Sequence, residues 1–248
     1  MREILPFLLC LIAGLSTLLG SLFIFIKGNK NNIIKCALAF ASGVMLSVSI
    51  FDLIPESLTM FQSTNKNSIF FSIMTFITIG LIIPLFIDKV LPAKLDQNSK
   101  LYKLGIFTMI AIIIHNIPEG IATYISSETN IKLGISITIA IAMHNIPEGI
   151  SIAMPVYYAT KNKKKAIGLT FISGMSEPLG AVLAFLFLKP IINNTIMGAL
   201  FAIIAGIMTY ISIIELLPAA LQYKEKKKTL ISFLIGILFM YVNHVLSY

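Results

Sequence analysis

A helix needs roughly 20 consecutive apolar residues to cross a bilayer, where no water satisfies an unpaired backbone group. This chain of 248 residues meets that demand eight times. The apolar stretches run over about 4–26, 34–59, 68–91, 104–126, 132–159, 166–188, 194–222 and 229–247. The connectors between them are short and polar, and none could hold a soluble domain. Only 12% of the residues are charged and the mean hydropathy is +0.91, whereas soluble chains carry about 25% charged residues. The expectation is an all-α polytopic membrane protein with eight transmembrane helices, forming one transmembrane domain over residues 1–248. The first stretch outruns the apolar region of a signal peptide and lacks a small-residue cleavage site, so it reads as a membrane helix.

The net charge of +8 does not point to nucleic acid, because the lysines fall in the connectors. Alternate connectors hold fifteen basic residues: Lys27, Lys30 and Lys35; Lys89, Lys94, Lys100 and Lys103; Lys161 and Lys163 to Lys165; Lys224 and Lys226 to Lys228. The other side has four: Arg2, Lys66, Lys132 and Lys189. The positive-inside rule assigns the richer side to the cytoplasm and puts both termini outside. The two cysteines, Cys10 and Cys36, lie in or beside apolar stretches and cannot form a disulfide framework or a cysteine zinc site.

Polar residues inside such stretches are costly, so they mark function. Six of the eleven acidic residues lie within the spans: Asp52, Glu56, Glu119, Glu148, Glu177 and Glu215. Glu56 is nearest a helix end and weighs least. The segment His115-Asn116-Ile117-Pro118-Glu119-Gly120 returns unchanged as His144-Asn145-Ile146-Pro147-Glu148-Gly149. Within each copy the His and Glu are four apart and stack on one helical face. Each proline frees the carbonyl one turn back and bends the helix there. Each glycine lets another helix come close. Imidazole nitrogen, carboxylate oxygen and amide oxygen form a ligand set for a divalent transition metal. Glu177, beside Pro178, adds a third carboxylate. Three such charges nearly balance two divalent ions, so the site suits one or two metals, with Glu119 and Glu148 as bridges. Mixed nitrogen and oxygen ligation favours zinc, iron(II), manganese or cobalt over copper(I).

The chain also repeats at a coarser level. Gly43 to Pro55 aligns with Gly206 to Pro218 at a constant offset of 163, and Asp52 falls on Glu215. Ile12, Gly14, Ser16, Leu19 and Gly20 align with Ile172, Gly174, Ser176, Leu179 and Gly180. The third and eighth spans match too weakly to count. The matched spans cross in opposite directions, which gives an inverted repeat of three helices, a central pair and three more. That architecture is common in secondary transporters. Asp52 and Glu215 then read as symmetric groups on a transport pathway. Met45 and Met208 read as packing residues, Ser49 and Ser212 as helix–helix hydrogen bonds, and His244 as an interfacial histidine.

With the doubled motif and Ser173-Gly174-Met175-Ser176-Glu177-Pro178-Leu179-Gly180-Ala181, nearly the whole chain resembles the ZIP family of divalent-metal transporters, in its short bacterial ZupT-type branch. The resemblance implies a binuclear metal centre among the fourth, fifth and sixth helices. His115, Glu119, His144 and Glu148 would line one subsite, and Asn116, Glu119, Asn145, Glu148 and Glu177 the other. It implies import into the cytoplasm across the cell membrane and, in many members, a homodimer. The connector from Pro92 to Lys103 has no histidine, so a histidine-rich sensing loop is not expected. The expected cargo is zinc, with iron(II), manganese, cobalt and cadmium tolerated. Apart from transported or bound metal, no cofactor is expected, and no nucleic-acid partner. No ATP-binding G-x-x-x-x-G-K-[ST] occurs. The alternative, an intramembrane metal-dependent hydrolase, would call for H-E-x-x-H, which is absent. A di-metal carboxylate oxidase would use Glu-x-x-His, and a bare scaffold would not explain the carboxylates.

The orientation is testable once Cys10 and Cys36 are replaced. Cysteine introduced at Asn29 or Asn162 should be shielded from an impermeant thiol reagent in intact cells, and cysteine at Ser127 should react. Labelling of the lysine-rich connectors from outside would overturn the orientation.

Overall fold

A computed structural model describes residues 4–61, 66–90 and 97–247. Arg2 and Lys94 of the charge count, and the start of the Pro92 to Lys103 connector, lie outside the described residues. Among the described residues, eight helices are long and apolar enough to span a membrane. They are α1 (Ile4–Phe25), α2 (Lys30–Met60), α3 (Asn67–Lys89), α4 (Lys100–Thr129), α5 (Ile131–Thr160), α6 (Lys163–Leu188), α7 (Asn194–Leu221) and α8 (Lys226–Val245). No strand occurs among the described residues. Several helices begin earlier than apolarity indicates, because asparagines cap them. The side chains of Asn29, Asn130 and Asn162 accept backbone N–H groups of the first turn. That draws the polar residues behind the cap into the helix, where hydropathy alone does not look for them.

The packing has the symmetry of the inverted repeat. α4 and α5 pack on each other at the centre. α1 packs on α5 as α6 packs on α4, and α2 packs on α8 as α7 packs on α3. Glycines mark the crossings. A methyl group on Gly149 would stand 1.8 Å from the carbonyl oxygen of Thr17, and one on Gly120 would stand 1.9 Å from that of Glu177. Gly14 and Gly174, which are repeat equivalents, meet each other where α1 crosses α6. Gly43 meets Gly236 between α2 and α8, and Gly206 meets Gly80 between α7 and α3. These last contacts align the third and eighth spans, which sequence comparison alone does not. Gly80 pairs with Gly236 at an offset of 156, and the same offset carries Asp88 onto His244.

Local backbone repeats as well. Val48–Leu53 and Ile211–Leu216 are π-helical, and their limits differ by the same offset of 163. In each, an N–H reaches back five residues, from Ile54 to Ser49 and from Leu217 to Ser212. Pro55 and Pro218 follow directly and cannot donate, which favours the wider turn. Single π turns of this kind concentrate at functional sites, and these two carry Asp52 and Glu215. Ser212 does make the expected interhelical bonds: its hydroxyl donates to the Ser42 carbonyl at 2.8 Å. Ser49 instead donates to Met45 in its own helix, at 3.0 Å. Met45 and Met208 are buried packing residues.

The lysine-rich connectors gather at one end of the bundle. Lys30 and Lys161 both lie over the Tyr158 ring, Lys163 over Phe25 and Lys165 over Tyr102. Lys35 is not a connector charge, as its place in the sequence indicates, but is buried. It donates to the Lys224 carbonyl at 2.8 Å and to Glu225 at 2.7 Å. The hydrogen bond from Lys35, then that from Lys228, holds the Glu225 carboxyl below its ordinary range. At the opposite end Ser127 is buried against Gly134, so the exposed Thr129 is the proper labelling position there.

The glycine crossings predict a graded response. Gly120→Ala and Gly149→Ala should each cost about 1–3 kcal/mol through overpacking. Gly168→Ala, which meets nothing within 4 Å, should be neutral or stabilising by up to about 1 kcal/mol. Thermal unfolding of the purified variants in detergent checks the contrast, and equal losses at all three positions would refute it.

Candidate metal centre

α4 and α5 bring the two copies of the motif face to face. The bonds, however, run across the seam and not along each helix. His115 Nε2 hydrogen-bonds Glu148 Oε1 at 2.9 Å, and His144 Nε2 hydrogen-bonds Glu119 Oε1 at 2.9 Å. Each histidine therefore takes the glutamate of the other copy, as a local two-fold axis requires. The helices continue through Pro118 and Pro147 without a break.

The sixth helix adds its carboxylate from a discontinuity. One helical stretch ends at Gly174 and the next starts at Ser176, with Met175 between them. Pro178 cannot donate to the turn before it, and Glu177 lies in the first turn after the break. Its buried carboxylate accepts from Asn145 Nδ2 at 2.9 Å. The same Asn145 nitrogen also donates to the Ala13 carbonyl at 3.0 Å. Asn116, the equivalent residue, is buried with neither amide atom partnered among the described residues.

Six of the seven residues singled out by sequence are thus joined in bonded pairs, not as an open cage, and Asn116 makes no such bond among the described residues. Among the described residues, no group of three or more His, Cys, Asp or Glu side chains stands ready to hold a metal ion. The ligand atoms are closed on one another in pairs. What remains unpartnered is the second atom of each group: Nδ1 of both histidines, one oxygen each of Glu119, Glu148 and Glu177, and the Asn145 amide oxygen. Buried polar atoms without partners are costly, and these are all metal-donor atoms.

The two crossed pairs differ in exposure. The His115 and Glu148 side chains are 1% and 0% exposed, and those of His144 and Glu119 are 8% and 12%. Asp52 is bonded to His244 Nδ1 at 2.7 Å. His244, part-exposed in the last turn of α8 as expected of a residue near the helix end, is therefore also paired with a span carboxylate. Its only signal in the sequence is its match to Asp88, too weak to find without the fold. Glu215, the counterpart of Asp52, borders a cavity of about 290 Å³ also lined by Asp88, Lys103 and Phe107. There Lys103 donates to Asp88 at 2.6 Å.

Cys10 is buried and donates weakly to the Gly120 carbonyl at 3.6 Å. Cys10 and Cys36 are both free thiols.

The sequence profile of the ZIP zinc transporter family matches residues 4–101 and 93–244. The chain is similar to a zinc transporter ZupT of Streptococcus mutans, with 39% identity over 97% of this chain and 96% of the relative. It is 40% identical to a ZupT of Oceanobacillus iheyensis over 98% of both chains. To that of Lysinibacillus sphaericus it is 41% identical over 98% of this chain and 97% of the relative. With the doubled motif, the eight spans and this end-to-end similarity, the chain belongs to the ZIP zinc transporter family.

Proposed function

We propose that this protein imports zinc into the cytoplasm across the cell membrane, with both termini outside, and that iron(II), manganese, cobalt and cadmium are also accepted. The observation that carries the reading is the pair of crossed His–Glu bonds at the centre of an otherwise apolar bundle. In a bilayer, such groups are retained where a cation passes. Family membership makes the chain a transporter of divalent metal and leaves no support for the hydrolase alternative.

The proposed site comprises His115, Asn116, Glu119, His144, Asn145, Glu148 and Glu177, with Glu119 and Glu148 bridging two subsites. Asp52, with His244, lies on the outer approach, and Glu215, with Asp88, on the inner one. The greater exposure of His144 and Glu119 supports this pair as the one a cation meets first. The cargo displaces the His–Glu bonds, and neutralisation of the carboxylates by the divalent charge offsets that loss. In this reading the chain works as a homodimer, as the family resemblance implies.

Radiolabelled zinc uptake into proteoliposomes tests the function directly. Glu119→Ala and Glu148→Ala should each abolish binding of both ions and nearly all uptake, because each removes a charged oxygen from both subsites. Glu177→Ala should remove one ion and leave measurable uptake. Loss of the same single ion by Glu119→Ala and Glu177→Ala would refute the bridging role.

Protons compete with metal for imidazole and carboxylate, and the ordinary histidine pKa is about 6.5. Zinc affinity should therefore be steady near pH 7.5 and fall below about pH 6. Equilibrium dialysis at pH 5 to 7.5 checks this, and an unchanged affinity would exclude His115 and His144 as ligands.

A further inference from the structure

The repeat offset of 160 that aligns α1 with α6 places Thr17 on Glu177. The structure keeps this equivalence in the backbone. The Thr17 carbonyl faces Gly149 as the Glu177 carbonyl faces Gly120. Ser16 donates to the Ala13 carbonyl at 2.6 Å, as Ser176 donates to the Ser173 carbonyl at 2.5 Å. The side chains break the symmetry. Asn145 is held by Glu177 and Ala13. Its equivalent Asn116 would be held by Thr17 and Ser173, but makes neither bond. The Asn116 amide, the Thr17 hydroxyl and the Ser173 hydroxyl are all buried and unpartnered among the described residues.

Threonines inside these helices commonly turn back on the preceding turn, as Thr138, Thr160 and Thr170 do. Thr17 does not. Thr108, Thr123 and Thr229 share that condition, but Thr17 alone of the four lies at the equivalent of a site carboxylate. A buried hydroxyl and a buried amide left open together cost more than either satisfied. A polar guest between them, a hydrated ion or its water, would remove that cost.

We propose that Thr17 is a specificity-determining residue of the metal centre. Its hydroxyl and the Asn116 amide form an uncharged counterpart of the Asn145–Glu177 pair within the same asparagine-lined subsite. That subsite then has one charged and one neutral flank, and it holds its ion, the second of the two, more loosely than the His–Glu subsite does. This rests on the metal-transport reading above.

The test uses the purified full chain in detergent, with zinc and cadmium binding followed by equilibrium dialysis and metal analysis. Thr17→Val should weaken the second, looser ion by roughly three- to tenfold, about the worth of one neutral hydrogen-bonding group. It should leave the tighter ion unchanged and the metal-free thermal stability equal or higher, since the hydroxyl has no partner among the described residues. Thr17→Glu should tighten the second ion and slow zinc release from preloaded proteoliposomes. A Thr17→Val isotherm that superimposes on the wild type, or a wild-type stoichiometry of one ion, would overturn the inference whether or not Thr17→Glu folds. Failure of the wild type to bind any divalent ion, or unchanged binding by Glu148→Ala, would instead strike at the metal-transport reading itself.

Discussion

Everything else in this bundle accommodates the crossed pairing of two histidines with two glutamates. A carboxylate at the centre of a bilayer costs at least about 2.5–3.5 kcal/mol on insertion scales, and here two are brought in on one seam. Each is answered by an imidazole from the facing helix at 2.9 Å. That answer requires α4 and α5 to run antiparallel in close register, since a shift of one residue would turn both motifs off the seam. It also requires the flanking helices to seal the pairs from lipid. Gly120 and Gly149 permit this, because α6 and α1 come so near them that a single methyl group would collide with backbone. The glycine ending each motif is thus as much a part of the site as the histidine that begins it.

Inverted repetition makes the arrangement economical, and its failures carry the information about direction. The backbone obeys the two-fold closely, in the π turns, the glycine crossings and the serine bonds. The side chains depart from it at a few positions. Glu177 has Thr17 as its repeat equivalent, and Asp88 has His244. Asp52 therefore has a histidine partner, while its repeat equivalent Glu215 borders a cavity with an Asp–Lys pair. One backbone framework presents different chemistry to the two sides of the membrane, which a vectorial process needs and a symmetric pore would lack.

The spans, the repeat of the second and seventh helices and the seven central residues were legible in the sequence because each rests on local pattern: apolar length, constant offset, polar residues in an apolar field. What stayed hidden depends on which helices become neighbours. The i, i+4 spacing of His115 and Glu119 suggests a pair within one helix, and nothing local indicates that each bonds across the seam. Lys35 looks like any connector lysine until the loop after α7 folds over it. His244 looks only interfacial until α8 packs on α2 and brings it to Asp52. Ser49 and Ser212 look equivalent, yet only Ser212 has Ser42 opposite it.

The closed state of the pairs bears on how tightly such a site should hold its cargo. A preformed cage of charged ligands would bind a divalent ion strongly and release it slowly. Here the histidine and glutamate donors are already hydrogen-bonded to one another, so metal entering the proposed site must give back the two His–Glu contacts. On release those contacts re-form and satisfy the buried groups at once, without requiring water to enter the centre. The same bonds that make the empty bundle tolerable in a membrane therefore lower the net affinity for metal. An exchangeable site gains from that compromise, whereas a structural zinc site would be weakened by it. In the proposed mechanism the crossed pairs are what allow the centre to empty.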